Sequence, residues 1–385
     1  MTVIYLDHAA TAYPRHPSVG EAMLAALSIA GNVGRGGHQG AATGTSIVAE
    51  CRERLASVLG ARDAERMLIF PSATAALNTV IEHFAPRDGS VNDDRRIAIG
   101  PLEHNAVTRP LKRRFGDART AVLPAHPDGR IDLEALESFD VAGMVAVIVQ
   151  HASNVSGIVQ PVEEIGTWCA EHRIPFVVDG AQAAGLVPFR IEEIPALIAY
   201  TSAGHKFLGG PPGIGVAYFA PNFQPEPLWV GGNGVRSEAP TVPDDGPARF
   251  ECGTSNLPGI AGLRAALGEL DASKMESEWD AAQQLRRRWV DRLREIDGID
   301  VIGEGDPVDR TPVISVRVRG MSPAAASAAL ESAAGIRTRA GLHCAPAAHR
   351  FYGTLDGGTL RLAPGIDLDD ETTERVFAQL ERLVR

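Results

Sequence analysis

Between Thr201 and Gly215, in TSAGHKFLGGPPGIG, a single lysine, Lys206, stands between His205 and a run of glycines and prolines. Gly204, Gly209, Gly210, Pro211 and Pro212 make this a turn that holds the amine in one place instead of leaving it a solvated charge. A lysine held this way can form a Schiff base with the aldehyde of pyridoxal 5′-phosphate, whose ring then acts as an electron sink for chemistry at an amino-acid α-carbon. A Gly-His-Lys triplet alone reads better as an ordinary surface loop, and a second residue must join it before chemistry is indicated. Asp179 supplies it. The apolar run Ile174 to Val178 reads as a buried parallel strand ending in this carboxylate, 27 residues before Lys206. A strand, a connection and a second strand fit in that length, so both residues can reach one carboxyl edge of a sheet, where open α/β folds bind ligands. An ionised aspartate there keeps a pyridine nitrogen protonated; alone, it would usually cap the next helix.

Further segments extend the pattern along the chain. They are Tyr5 to Thr11 (YLDHAAT), Gly31 to His38 (GNVGRGGH), Glu103 to Val107 (EHNAV) and His151 to Gly157 (HASNVSG), then Glu251 to Asn256 (ECGTSN) and Arg339 to Pro346 (RAGLHCAP). With the Asp179 and Lys206 segments, and in this order from end to end, they resemble the class V, fold-type I pyridoxal-phosphate enzymes of the cysteine desulfurase and selenocysteine lyase family. The resemblance implies an α/β fold: a large cofactor-binding domain with a mostly parallel sheet, residues 15–262, and a smaller α+β domain, residues 263–385, joined by the N-terminal arm 1–14. It implies Lys206 as cofactor anchor, His104 stacked on the ring and moving protons near neutral pH, Asp179 at the ring nitrogen and Gln182 donating to the ring oxygen. Ala73, Thr74 and His205 would meet the phosphate, and Asn154 the cofactor or the substrate carboxylate. Arg361 would grip that carboxylate with a bidentate fork. Arg35 and His38 would border the site, and Thr254 would cross a homodimer interface to the other subunit's phosphate.

Cys344 is the residue that would decide the reaction. A free cysteine is most often an inert buried side chain. Here Arg339, His343 and His349 lie close in sequence, and cationic neighbours raise the thiolate fraction. The resemblance matches Cys344 to the persulfide-forming cysteine, which implies conversion of L-cysteine, or selenocysteine, to alanine, with sulfur passed to a thiol or an acceptor protein. Other class V chemistry (aminotransferase, epimerase or β-lyase) and a catalytically silent sulfur-transfer partner or scaffold are the rival readings. The chain departs from the family pattern at Ala75, where glutamate is common, and at Ala203, where a phosphate-binding hydroxyl is common. Ser202, Thr74 or a water would then replace that hydroxyl.

The elements that must position these residues follow from periodicity. Ser72 to Leu77 opens a helix after the strand Met67 to Phe70, so its free N–H groups suit an anion; Ser72 or Thr74 as a plain cap fits equally. Strands are expected at Val3 to Leu6, Arg96 to Gly100, Met144 to Gln150 and Thr311 to Val318. Helices are expected near Val19 to Ser28, at Ser46 to Leu59 with Cys51 buried, and at Pro323 to Ala334. Ala282, Leu285, Trp289, Leu293 and Ile296 stripe one more helix, and Val376 to Leu383 the last. The glycine-rich stretch Gly31 to Gly40 and the Gly/Pro/Asp-rich stretch Gly231 to Pro247 read as loops.

Over 385 residues a formal net charge of −11 argues against a nucleic-acid partner or an anionic membrane surface. The four cysteines, Cys51, Cys169, Cys252 and Cys344, show no paired spacing, so neither a disulfide framework nor a metal site is expected. Met1 to Leu6 is too short for a signal-peptide core and no apolar run reaches spanning length, which leads to the expectation of a soluble cytoplasmic protein.

Overall fold

The structure, a computed structural model, describes residues 3–29, 31, 33–34, 36–85, 94–232, 238–244, 246–305 and 308–385. Its organising element is a seven-stranded sheet. From edge to edge the strands are Met67–Phe70, Gly215–Phe219, Leu197–Ala203, Phe176–Asp179, Met144–Gln150, Arg96–Ile99 and Thr120–Val122. Gly215–Phe219 runs antiparallel to both its neighbours, and the other pairings are parallel. Strands covered on both faces are largely apolar, which is why Met144–Gln150 carries an almost unbroken apolar run, while Leu197–Ala203 is apolar at its start and buries Thr201 and Ser202 at its carboxyl end. One apolar cluster, with Cys51, Leu55, Val147 and Val178, fills one side of the sheet. A second, with Leu77, Val80, Ile148 and Val177, fills the other. The odd-even split of Val147 and Ile148 between the clusters is the strand period at work.

Near the C-terminus a four-stranded antiparallel sheet runs Arg339–Gly341, Thr359–Leu362, Ile314–Val318, Ile299–Val301. The second half of the helix Ala272–Glu295 packs on it through Leu285, Trp289 and Leu293. Phe377 and Leu380 of the last helix, Asp370–Leu383, join the same core. The arm strand Ile4–Tyr5 pairs in parallel with Ile336–Arg337, and Ile4 and Leu6 enter this core too.

Several elements depart from their expected bounds. The helix expected from Ser46 begins at Gln39, so it takes in Gly40 and Gly44. Its start is set by His38, whose ring accepts from the Ala41 N–H, and a Cβ at Gly44 would make only ordinary contact with Leu257, 3.4 Å away. The strand expected from Thr311 begins at Ile314, because the Thr311 N–H is drawn off to the Gly157 carbonyl at 2.8 Å. The stretch 231–247 read as loop closes in a short helical turn, Pro247–Phe250. Among the described residues no helix is long and apolar enough to cross a membrane.

Candidate active site

The carboxyl edge of the large sheet gathers the chemistry-bearing residues. Register pairs Gln150 with Asp179 and Asp179 with Thr201, so three strands end side by side. Leu197–Ala203 then runs into the glycine-rich turn, which closes through Gly209 N–H to the Lys206 carbonyl at 2.9 Å and Gly210 N–H to the Gly204 carbonyl at 2.7 Å. These bonds fix the backbone on either side of Lys206, as the turn chemistry requires. On the other flank Met67–Phe70 leads to the helix Ala73–Phe84, capped by Ser72, whose hydroxyl accepts from the Ala75 N–H at 3.2 Å. The helix Asn105–Arg114 is capped by His104, whose Nδ1 accepts from the Ala106 N–H at 3.0 Å.

A cavity of about 240 Å³ opens where these ends meet. Lys206, Asp179, His104, Gln182, His205 and Asn154 line it. So do Ala73 and Thr74 at the helix start, and Cys344 and Arg361 from the C-terminal sheet side. His38 is not brought there, and Thr254 is expected at the neighbouring copy's site instead of this one. Thr254 is exposed and His38 caps its own helix at the surface, and neither lines the cavity of its own chain. Arg35 lies outside the described residues.

Burial dominates the electrostatics. The Lys206 amine is desolvated strongly enough to bring its pKa down to about 8, although Asp179 pulls the other way. Burial likewise pushes Asp179 up, opposed by Lys206 and by the Ala181 N–H that its Oδ1 accepts at 3.0 Å. Removing both charges from water costs more than their attraction returns, which is the usual balance for a buried pair. His104 is taken down to about 4 by burial and then by Lys206. This corrects the expectation that it moves protons near neutrality: its imidazole is neutral there and its Nδ1 is an acceptor. His205 is also lowered to about 4 by burial, and its Nδ1 pairs with the Thr11 hydroxyl at 3.1 Å.

The Gln182 amide is anchored to the N-terminal arm through one of its two N–H groups. Its Nε2 donates to the Ala9 carbonyl at 2.8 Å, and the buried Oε1 has no partner among the described residues. Ser202 does not replace the hydroxyl missing at Ala203, because adjacent strand residues point to opposite faces and its Oγ donates to the Gly180 carbonyl at 3.3 Å. Thr74 remains at the cavity.

Cys344 carries an exposed thiol with Arg339 Nη2 4.0 Å from its sulfur. The expectation of three cationic neighbours holds only for Arg339. Burial takes His343 down to about 2 and His349 to about 4, so both are neutral near pH 7. His349 is buried against the Thr354 hydroxyl at 2.7 Å.

Sequence reading passed over two groups. Asp7, on the arm, accepts from Arg361 Nη2 at 2.6 Å, while Nη1 donates to the Asn154 carbonyl at 3.1 Å and Nε has no partner among the described residues. The two residues are 354 positions apart, so only the fold pairs them. Glu103 is wholly buried, accepts the Gln150 N–H at 2.8 Å, and is pushed well above the usual carboxylate range by burial. Its place beside His104 was the available signal.

The family model for aminotransferase class-V matches residues 4–376. A cysteine desulfurase of Salmonella choleraesuis (strain SC-B67) is 30% identical over 396 residues, with 100% of this chain and 94% of that protein covered. The apo structure of a cysteine desulfurase from Thermococcus onnurineus NA1 superposes with a TM-score of 0.89 at 28% identity, covering 99% of this chain and 94% of that one. The cysteine desulfurase CsdA from Escherichia coli gives 0.84 at 24% identity over 99% and 94% of the two chains, a likeness of fold. The mixed α/β architecture with its mostly parallel sheet is thus the one these enzymes share, as expected from the motifs. With all but a few terminal residues inside the match, the chain belongs to the class-V aminotransferase family.

Proposed function

We propose that the protein is a pyridoxal-phosphate-dependent cysteine desulfurase that converts L-cysteine to L-alanine and takes the sulfur onto Cys344 as a persulfide. The observation that carries this reading is one cavity lined by a desolvated lysine, a buried aspartate and an accessible thiol. The residues fit the cofactor. The N–H groups at Ala73 and Thr74 open a helix toward an anion, an aspartate closes the floor, and the Asn154 and Gln182 amides, whose buried oxygens have no partner among the described residues, keep hydrogen-bonding capacity for a bound group. When bound, the cofactor would supply an electron sink for the substrate's α-carbon.

The chain's own residues would do the rest. Lys206 would anchor the aldehyde and, as a free amine, would take the substrate's α-proton on Nζ; a pKa of about 8 leaves a useful fraction of free amine. Asp179 would hold the ring nitrogen's proton, His104 would lie against the ring as a neutral imidazole, and Thr74, Ala73 and His205 would receive the phosphate. Arg361, held by Asp7, offers its remaining N–H groups to the substrate carboxylate. The Cys344 thiolate attacks the substrate sulfur: an S–S bond forms as the carbon–sulfur bond breaks, and the electron pair stays with the carbon that becomes the alanine methyl.

The proposal extends to a homodimer, with Thr254 serving the neighbouring copy, and to a sulfur acceptor that relieves Cys344. It also divides the chain at about residue 262, supported by the separate core of the C-terminal sheet that Ile4 and Leu6 join. In the test, Cys344→Ala is assayed for sulfide and alanine from L-cysteine. Loss of both, with the Lys206-dependent absorbance kept, is the expected result. Undiminished sulfur release, or a keto acid as product, would sink the assignment.

A further inference from the structure

Cys344 and the residue before it both adopt left-handed backbone, with φ of 49° at His343 and 57° at Cys344. For residues with a Cβ this conformation is strained and persists only where surrounding contacts hold it. Those contacts are few and specific. The His343 ring is buried, and its Nε2 meets the Thr359 hydroxyl at 2.9 Å. The His343 carbonyl accepts from Asn154 Nδ2 at 2.7 Å, and the Cys344 carbonyl accepts from the Asn105 N–H at 2.7 Å. Thr359 is fully buried and begins the strand Thr359–Leu362 that also carries Arg361, so the anchor is part of the C-terminal sheet rather than of a loop. Gly358 approaches Gly341 so closely that a Cβ there would stand 2.3 Å from the Gly341 carbonyl carbon. The turn bearing the thiol is therefore clamped against the sheet from both sides.

We propose that the His343–Thr359 hydrogen bond is a latch that aims the Cys344 thiol into the cavity, making His343 and Thr359 positioning residues for sulfur transfer. The inference rests on the reading of Cys344 as the nucleophile. His343 acts here without exchanging a proton, since burial and the nearby Arg361 keep its ring neutral at working pH. Without the latch, the strained pair can relax toward ordinary backbone, and the sulfur, already exposed, swings outward.

Two readouts should move in opposite directions in Thr359→Val. Misplacing a reacting atom by about 1 Å can cost on the order of 100-fold in rate, so kcat for sulfur release is expected to fall about 10-fold or more with KM little changed. Alkylation of Cys344 by iodoacetamide, followed on its own peptide by mass spectrometry, is expected to rise a few-fold because the thiol spends more time outside. Thr359→Ser keeps the hydroxyl and should restore both. If Thr359→Val is recovered without cofactor, Thr359→Ala, which adds no second methyl to the filled site, is read the same way. Wild-type kcat and alkylation in the cofactor-loaded Val or Ala variant overturn the latch, as does a fall in kcat that Thr359→Ser shares. Should Cys344→Ala release sulfur as fast as the unaltered enzyme, the nucleophile reading itself fails, whatever the Thr359 variants do.

Discussion

A single amine illustrates how burial sets reactivity. Lys206 would titrate at 10.5 in water and does so at about 8 in its cavity, because desolvation outweighs the pull of Asp179. At pH 7 this raises the free-base fraction from about 0.03% to roughly 10%. Capture of pyridoxal phosphate by cofactor-free protein should therefore speed up with pH and level off just above 8, measured by stopped-flow absorbance. A rate that keeps climbing tenfold per unit to pH 10 would mean the amine is solvated. Stability carries the same signature with a definite sign. Between about 8 and 10.5 the unfolded chain holds the lysine proton and the folded chain does not, so this group adds stability to the cofactor-free protein as pH rises through that window.

At the level of elements, the proposed phosphate site depends on how closely one strand approaches one helix start. Gly215 opens the strand Gly215–Phe219 opposite Phe70 and Ala203, and a Cβ on it would lie 2.1 Å from the Ser72 carbonyl carbon and 2.4 Å from the Ala73 nitrogen. Both atoms are backbone, so relief requires the start of the helix Ala73–Phe84 to shift. Gly215→Ala is expected to cost about 1–3 kcal/mol by overpacking and to weaken cofactor binding, read by thermal melts and by titrating the chromophore. An unchanged melt together with unchanged cofactor affinity would show that the helix start can move freely. The same rule explains why Ser202 does not compensate for Ala203: the strand period turns its hydroxyl away to Gly180.

Across the whole molecule, the question is which chain completes the site. Thr254 is exposed and stands outside the cavity of its own chain, which suits the proposed exchange across a two-fold axis. Mixing separately inactive Lys206→Ala and Thr254→Ala proteins under subunit exchange should restore activity, since one mixed site would have both an intact lysine and the partner's intact threonine. No recovery, with exchange verified by native mass spectrometry, would assign Thr254 to its own chain or to no site.

Local pattern alone was enough to single out Lys206 and Asp179, the proposed anchor and its counter-charge, which line one cavity. A turn dense in glycine and proline and an apolar strand ending in aspartate are short-range features, and parallel register carries both to one edge. The strands Met144–Gln150 and Phe176–Asp179 and the helix Pro323–Ala334 were legible for the same reason. Helix and strand starts at Gln39 and Ile314 were not, because a histidine cap and a borrowed backbone bond moved them. Protonation was out of reach too: His343 and His349 look cationic in sequence and are neutral only because the C-terminal lobe buries them. The arm's Asp7 meets Arg361 from the far end of the chain. Residue order thus determined which groups this protein has for chemistry, while desolvation and long-range pairing, which exist only once the chain has closed on itself, decided their charge, their direction and which of them meet.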